Sequence, residues 1–270
     1  MNVLIKYIWH DCFVIVFQDC VIITDFWKEE TDSWHQQDFP EFLNDIAADT
    51  PLYIFVSHHH KDHFNRKIFL WVKKFRNIRY IISNDTAKSI NYLLKKGSTY
   101  SGAYAVNEGV VTVLKPGMTY SDRHISARAF PSTDIGNSYL IECGGLKLFH
   151  AGDLNAWIWK DESTSAEIAS ALHEFQSILH EIKAVAPVID VAFFPVDSRI
   201  GSDWWEGASI FVRILKIKYF FPMHFCFAST PEELGIRIQQ GTDFTLFQNT
   251  LFGKYIALTR PEQSIVLNFP

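Results

Sequence analysis

The sequence predicts an α/β protein built as a four-layer αββα sandwich, with two mixed β-sheets face to face and helices on their outer faces. Runs of β-forming residues alternate with helical patterns in the order strands, helix, strands, helices, strands. The chain has 270 residues, of which 48% are hydrophobic, enough to bury a large core. No composition break or low-complexity segment marks a linker. We therefore expect a single domain over residues 1–270.

The first part of the chain predicts strands and short helices from apolar runs separated by polar breaks. Residues 2–25 should form an antiparallel meander, and a polar, aromatic loop should follow at 26–38. Asn84 or Asp85 should cap a helix that runs through Leu94 to Gly97. The other expected elements here are strands at 3–9, 13–17, 21–24, 52–56 and 79–82, a helix at 41–48 and a helix beginning near residue 68.

The second part of the chain returns to strands at about residue 103, and we expect these strands to form a second sheet. Thr164 and Glu167 form a capping-box pattern, and apolar residues repeat at helical spacing after it. The expected strands are 103–106, 110–114, 124–130, 138–141, 146–149, 190–195, 219–222, 245–247 and 255–258, and the expected later helices are 208–216 and 232–239.

Composition excludes several function classes. A net charge of −5 and the lack of any Lys/Arg run argue against a nucleic-acid surface, so we expect a small-molecule partner. No apolar run approaches the roughly 20 residues that span a bilayer, and the first residues lack a signal-peptide pattern. The four cysteines are scattered without a CxxC pair, which suits reduced thiols. We expect a cytoplasmic protein with no membrane partner; a homo-oligomer stays open.

The stretch 57–63, Ser-His-His-His-Lys-Asp-His, contains the pattern HxHxDH. It follows an apolar β-rich run and precedes a helical pattern, so several imidazoles and a carboxylate can point at one place from a strand end. Three further candidate ligands, Asp134, Asp153 and His224, also follow apolar strands. A ligand just past a strand end is rigidly held yet accessible, as an open catalytic metal site requires.

These motifs resemble the metallo-β-lactamase fold superfamily of metal-dependent hydrolases, and the resemblance covers nearly the whole chain. It rests on HxHxDH, on Gly152-Asp153 after a strand and on the Pro-x-His that ends at His224. The run Tyr7-Ile8-Trp9-His10 and the later Ile23-Thr24-Asp25 are similar to the superfamily's opening hairpin and strand-end aspartate. A true β-lactamase is not expected.

The resemblance implies two divalent metal ions, Zn, Mn or Fe, and a metal-activated hydroxide. It implies that His58 and His60 bind one ion, that Asp62, His63 and His224 bind the other, and that Asp153 bridges them. Asp62 would also share in proton handling.

Asp134 falls where the superfamily usually has a histidine of the first site. It is either a ligand there or a turn residue that caps backbone N–H groups. As a ligand, its harder oxygen would favour Mn²⁺ or Fe²⁺.

Other residues around these strand ends are candidates for supporting roles. His10 could act on the substrate or behind the ligands, and Asp25 could orient a ligand histidine or cap a strand. Arg199, near Asp197, could grip an anionic substrate or form a structural ion pair. His59 should face the protein interior or stand behind the ligands in a supporting role. Paired tryptophans, with Lys28 and Lys160 nearby, suggest an aromatic-walled cleft or a packing surface: Trp27 and Trp34, Trp157 and Trp159, Trp204 and Trp205.

The sequence therefore predicts a metal-dependent hydrolase that cleaves an ester-like bond, a lactone or a phosphodiester, in a small molecule. Three alternatives stay open: a metal-dependent nuclease, which would be expected to carry a basic arm; a di-iron redox or oxygen-binding protein, which would need an electron donor; and a non-enzymatic sensor.

Overall fold

The chain divides into two compact units in a computed structural model that describes residues 1–27, 39–94, 109–226, 228–243, 245 and 251–270. Unit 1 comprises Met1–Lys115 and Arg260–Pro270, and unit 2 comprises Pro116–Thr259. The described residues of each unit form one seven-stranded sheet with parallel and antiparallel pairs. The predicted α/β class with two mixed sheets and helices is confirmed. A single domain over 1–270 stays a prediction.

The sheet of unit 1 has the strand order β14-β1-β2-β3-β4-β5-β6. Its strands are β1 (Asn2–Trp9), β2 (Cys12–Val16), β3 (Val21–Thr24), β4 (Leu52–Val56), β5 (Ile78–Ser83), β6 (Val111–Leu114) and β14 (Ser264–Asn268). The pairs from β14 to β3 are antiparallel, and those from β3 to β6 are parallel. The carboxyl ends of β1, β3 and β4 therefore lie at one edge of this sheet.

Short helices cover one face of this sheet. They are the 3₁₀ segments Glu41–Asp45 and Arg66–Lys73 and the α-helices α1 (Asn84–Ser89) and α2 (Asn91–Leu94). Arg66–Lys73 buries Trp71, whose ring lies 4.9 Å from that of Phe26. The hydroxyl of Tyr80 donates to the carbonyl of Ile68 at 2.7 Å. These contacts fix the segment that follows HxHxDH.

The sheet of unit 2 has the order β13-β12-β11-β10-β9-β8-β7. Its strands are β7 (Thr119–Ser121), β8 (Ile125–Pro131), β9 (Asn137–Cys143), β10 (Leu146–His150), β11 (Val188–Pro195), β12 (Lys216–Met223) and β13 (Lys254–Tyr255). The pairs from β10 to β13 are parallel, and those from β7 to β10 are antiparallel. The carboxyl ends of β8, β10, β11 and β12 thus share one edge.

The described helices of unit 2 are α3 (Ser165–Val185), the 3₁₀ turn Ser198–Ile200, α4 (Glu206–Ile214) and α5 (Pro231–Gly241). The predicted capping box begins α3: Thr164 accepts from the Glu167 amide, and the Glu167 carboxylate accepts from the Thr164 amide. In the core, the Phe194 ring stacks on that of Phe211 at 4.3 Å. No described helix of either unit is long and apolar enough to cross a membrane.

Several predicted elements need correction. Ser83, rather than Asn84 or Asp85, caps α1, because its hydroxyl accepts from the Thr86 amide. The strand Val111–Leu114 pairs with β5 in the first sheet rather than opening the second. The helix expected near residue 68 is a 3₁₀ helix. The strands expected at 103–106 and 246–247, like residues 95–97 of the predicted helix, lie outside the described residues.

Two of the strands in the described part of the chain were not predicted from the sequence. β7 is only three residues long, too short for a pattern to show. β14 lies in the last residues of the chain and pairs with β1, so tertiary contacts define it. Between them, the expected strand at 255–258 is shorter and earlier, at Lys254–Tyr255.

Candidate metal centre

The HxHxDH stretch leaves the fully buried strand β4 and turns back on itself in unit 1. The amides of His63 and Phe64 donate to the His60 carbonyl at 3.1 and 3.0 Å. The His58 ring centroid lies 4.6 Å from that of His60 and 4.0 Å from that of His63. The predicted convergence of imidazoles on one place is therefore present within this unit.

Asp25, just past β3, holds this turn by three contacts. Its Oδ1 accepts from the Ser57 amide at 2.7 Å, and its Oδ2 accepts from the Ser57 hydroxyl at 2.5 Å. The same Oδ2 lies 2.9 Å from Nδ1 of His63. Since a carboxylate only accepts, His63 carries its proton on Nδ1, and Nε2 presents a lone pair.

Ser57 extends this control to His58. Its Oγ lies 2.9 Å from Nδ1 of His58 while its own proton goes to Asp25. His58 Nδ1 must therefore be the donor, which leaves its Nε2 with a lone pair. One carboxylate thus sets the tautomers of two candidate ligands, the orienting role that the sequence suggested for Asp25.

His10 and Asp11 form the turn of the β1–β2 hairpin and belong to the same cluster. Both side chains are fully buried, and His10 Nε2 lies 3.3 Å from Asp11 Oδ2. That oxygen also lies 3.3 Å from His63 Nε2. His10 Nε2 is 3.8 Å from Asp62 Oδ2, and candidate ligand atoms of His10, Asp62 and His63 lie within 4.8 Å of one another.

Sequence reasoning missed Asp11. It stands between two strands, where a polar residue is typical of an ordinary hairpin turn. Only the burial of its side chain distinguishes it from an exposed turn residue such as Asp19.

In unit 2, Asp153 and His224 stand just past the parallel strands β10 and β12. Both are buried, and His224 Nε2 lies 3.1 Å from Asp153 Oδ1. His224 has a positive φ of 68°, and Gly152, before Asp153, has a φ of 53°. Left-handed backbone at these two positions turns the chain sharply at the strand ends. The structure thus brings together two of the three candidate ligands predicted in this unit.

Asp197, past β11, orients His224 as Asp25 orients His63. Its Oδ2 lies 3.0 Å from His224 Nδ1 and 2.6 Å from Nη2 of Arg199. Burial raises the pKa of Asp197, but hydrogen bonds and charge from His224 and Arg199 outweigh burial and lower it to about 2. Asp197 is therefore ionised, and Arg199 forms the ion pair that was the structural alternative for it.

Asp134 lies past β8, at the sheet edge that also carries the ends of β10 and β12. It is exposed, and its amide donates to the Ser132 hydroxyl at 3.3 Å. The neighbouring Thr133 hydroxyl donates to the Asn155 carbonyl at 2.5 Å, which ties this turn to the loop after Asp153. A ligand role for Asp134 stays a prediction.

The tryptophans, predicted to form either an aromatic-walled cleft or a packing surface, differ in their surroundings. The Trp157 ring stands edge-on to His224 at 5.8 Å, and its Nε1 donates to the Asp153 carbonyl at 2.7 Å. The ring centroid of Trp27 lies 6.1 Å from that of His10. Trp205 is half-buried before α4, and Trp159 is exposed. Trp34 and Lys28 lie outside the described residues.

Two further expectations concern charged side chains. His59 does not face the interior: it is exposed, and its Nδ1 lies 3.0 Å from the Asp85 carboxylate. The strand alternation that predicted an inward side chain fails because the chain has already left β4. Lys160, expected near the cleft, pairs with Asp203 at 2.6 Å and with Glu206 at 2.9 Å.

The donors in each unit suit divalent metal ions. Imidazole nitrogens and carboxylate oxygens are the ligand types of zinc, manganese and iron sites. His63 and His224 each have Nδ1 bound to a buried carboxylate and Nε2 beside a second carboxylate oxygen. That arrangement, with the ring nitrogen oriented from behind, is typical of metal-binding histidines.

Comparisons with known proteins agree with this reading. The family model described as "Beta-lactamase superfamily domain" matches residues 4–224. Among curated proteins, none matches the chain significantly.

Solved structures share the fold at low sequence identity. The metallo hydrolase Igni18 from the archaeon Ignicoccus hospitalis is 14% identical, with 100% of both chains covered and a TM-score of 0.65. CmlA, a diiron β-hydroxylase from Streptomyces venezuelae, is 12% identical over 99% of this chain and 54% of its own, with a TM-score of 0.61. The metallo-β-lactamase fold protein YhfI from Bacillus subtilis is 9% identical over 98% and 99%, with a TM-score of 0.56. The chain belongs to the metallo-β-lactamase fold superfamily.

Proposed function

We propose that this protein is a metal-dependent hydrolase that cleaves an ester-like bond, a lactone or a phosphodiester, in a small molecule. The observation that carries the proposal is the repeated carboxylate–histidine–carboxylate arrangement. Asp25 and Asp11 flank His63 in unit 1, and Asp197 and Asp153 flank His224 in unit 2. Membership of the superfamily supports a metal-dependent hydrolytic reaction.

The proposal includes the ligand assignment that the superfamily resemblance implies. His58 and His60 would hold one divalent ion, Asp62, His63 and His224 a second, and Asp153 would bridge them. Asp134 would complete the first set. When bound, such ions lower the pKa of a coordinated water and stabilise charge on the substrate oxygen.

The protein's own groups fix protonation states around these ligands. Asp25 and Asp197 keep Nδ1 of His63 and His224 protonated, so neither ring has to change tautomer when a metal binds. The side chain of Asp62 is partly exposed, and its Oδ2 lies 3.8 Å from His10 Nε2. We propose that Asp62 takes up and returns protons during turnover, with His10 beside it.

The proposed partner is a small molecule, with neither a nucleic acid nor a membrane as partner. The net charge of −5 supports this class. The proposal includes an anionic substrate, with Trp157 and Trp205 lining the substrate site. It also includes a homo-oligomer. All four cysteines lie among the described residues, are buried and form no disulfide, which supports a cytoplasmic location.

An iron-dependent redox or oxygen-binding protein is the second candidate. The carboxylate-rich cluster of unit 1 favours it, because Asp11 and Asp62 add hard oxygen atoms to the histidines. CmlA, whose fold is similar, is a diiron β-hydroxylase. Oxygen chemistry would need an external electron donor.

The test is hydrolysis by the purified protein after reconstitution with Zn²⁺, Mn²⁺ or Fe²⁺. Bis(p-nitrophenyl) phosphate, a lactone panel and labelled RNA separate the small-molecule hydrolase from a nuclease. We expect turnover of a small ester that disappears in the double variant His58→Ala/His60→Ala. Cleavage of RNA alone would favour the nuclease. Activity on none of them, with bound iron whose spectrum changes in oxygen, would favour the redox protein.

A further inference from the structure

The carboxylate of Asp11 is fully buried at the edge of unit 1 and faces two imidazoles. Its Oδ2 lies 3.3 Å from Nε2 of His10 and 3.3 Å from Nε2 of His63. Its backbone carbonyl accepts from the Thr24 hydroxyl at 3.1 Å, which fixes the hairpin turn against β3. A buried carboxylate is costly unless a cation or several donors compensate its charge.

His63 does not offer Asp11 a proton. Its Nδ1 proton is directed to Asp25 at 2.9 Å, so the neutral ring turns a lone pair toward Asp11. Two acceptors then face each other, and their contact is favourable only with a cation between them. That cation is either a proton that makes His63 an imidazolium or a metal ion that both atoms bind.

The distances separate these two cases. A charge-assisted hydrogen bond between imidazolium and carboxylate should span about 2.7–2.9 Å. The Asp25–His63 contact has that length, at 2.9 Å, whereas both contacts of Asp11 Oδ2 measure 3.3 Å. Two atoms bound to one metal ion at about 2.0–2.2 Å lie about 2.8–3.6 Å apart, depending on whether the coordination is octahedral or tetrahedral. The spacing thus fits shared coordination better than a shared proton.

We propose that Asp11 and His10 are metal ligands, which bind the ion held by His63 through Asp11 Oδ2 and His10 Nε2. This inference rests on the proposed metal centre and extends its ligand set. It brings the opening hairpin into the site and adds a buried carboxylate to it. The added oxygen shifts the metal preference toward Mn²⁺ or Fe²⁺ relative to a site richer in histidine.

The test compares wild-type protein with Asp11→Asn, using Asp19→Asn as the matched control because Asp19 is an exposed acid of the next turn. Metal affinity is measured by competition with a chromogenic chelator, stoichiometry by elemental analysis, and geometry by the visible spectrum of bound Co²⁺. We expect Asp11→Asn to lose at least about 10-fold in affinity and to change the Co²⁺ spectrum. Asp19→Asn should match wild type.

The melting temperature gives a second readout, because Asp11→Asn should affect the metal-free and the metal-bound protein differently. An amide can donate to the lone pair of His63 Nε2, and the substitution removes a buried charge, so metal-free Asp11→Asn should melt no lower than wild type. With metal it should melt lower than wild type. If the Asp11 carboxylate had only a structural role, replacing it would lower the melting temperature of both the metal-free and the metal-bound protein.

Each possible result either supports or overturns the assignment of Asp11 and His10 as ligands. Wild-type affinity and an unchanged Co²⁺ spectrum in Asp11→Asn overturn this inference and leave the proposed function standing. A wild-type protein that binds no metal overturns both. If Asp11→Asn does not fold, His10→Gln replaces it, because the change removes Nε2 as a ligand; unchanged affinity in that variant contradicts the proposal.

Discussion

Asp25→Asn should weaken metal binding strongly while keeping the backbone in place. Asn tolerates the left-handed conformation that Asp25 adopts, with a φ of 36°, so the change is nearly isosteric and unstrained. Its amide oxygen can still accept from the Ser57 amide, now at 2.7 Å from Oδ1. Its NH₂ group, however, points a donor at the place where Oδ2 now accepts from Ser57 and His63.

The donor reverses two tautomers. Facing an NH₂ group, His63 Nδ1 becomes an acceptor, so the proton moves to Nε2 and blocks its lone pair. The Ser57 hydroxyl accepts from the same NH₂ group and turns its own proton toward His58 Nδ1, 2.9 Å away. To return His58 and His63 to the tautomers that can bind metal, the variant has to break these new hydrogen bonds. Loss of such an orienting partner costs about 10–100-fold in metal affinity, or about 1.4–2.7 kcal/mol.

The assay is competition with a chromogenic chelator, with circular dichroism to confirm the fold and Asp19→Asn as control. We expect a Kd raised about 100-fold by Asp25→Asn, a smaller rise for Ser57→Ala, which disturbs only the link to His58, and none for the control. An Asp25→Asn protein that folds and binds metal as tightly as wild type would refute the tautomer argument.

Three other substitutions test separate parts of the structure. Asp197→Asn should raise the metal Kd about 10–100-fold by releasing His224; an unchanged Kd would contradict the orienting role. Thr164→Ala removes the capping box of α3 and should cost about 1 kcal/mol, lowering the melting temperature by about 2–4 °C; unchanged melting in a thermal scan would show that the cap contributes nothing. Trp205→Ala should raise KM without changing metal content; loss of metal or fold would favour the packing role of this ring.

Motifs at strand ends were predictable because local sequence determines them. The apolar run before residue 57 predicted β4, and the candidate ligands after it followed from the rule that residues just past a strand end are rigidly held and accessible. Asp153 and His224 followed by the same reasoning, and the structure brings them within 3.1 Å of each other. Local capping chemistry likewise predicted the start of α3 at Thr164.

Contacts between distant residues were not predictable where no motif marks them. Asp11 differs from an ordinary turn residue only because its side chain is fully buried beside His63, which is distant in sequence, and no local pattern carries that information. β14 is defined by its pairing with β1, from the other end of the chain. For Arg199 the sequence left a substrate contact or an ion pair open, and only the structure shows the ion pair with Asp197, which lies two residues away and also contacts His224.

Metal content measured together with hydrolysis tests the central claim most directly. Protein purified without chelator and reconstituted with Zn²⁺, Mn²⁺ or Fe²⁺ should hold about two equivalents by elemental analysis and hydrolyse a lactone or bis(p-nitrophenyl) phosphate. Removing the metal should abolish turnover, and restoring it should bring turnover back. Less than about half an equivalent, with no recovery on adding any of the three ions, would contradict the account.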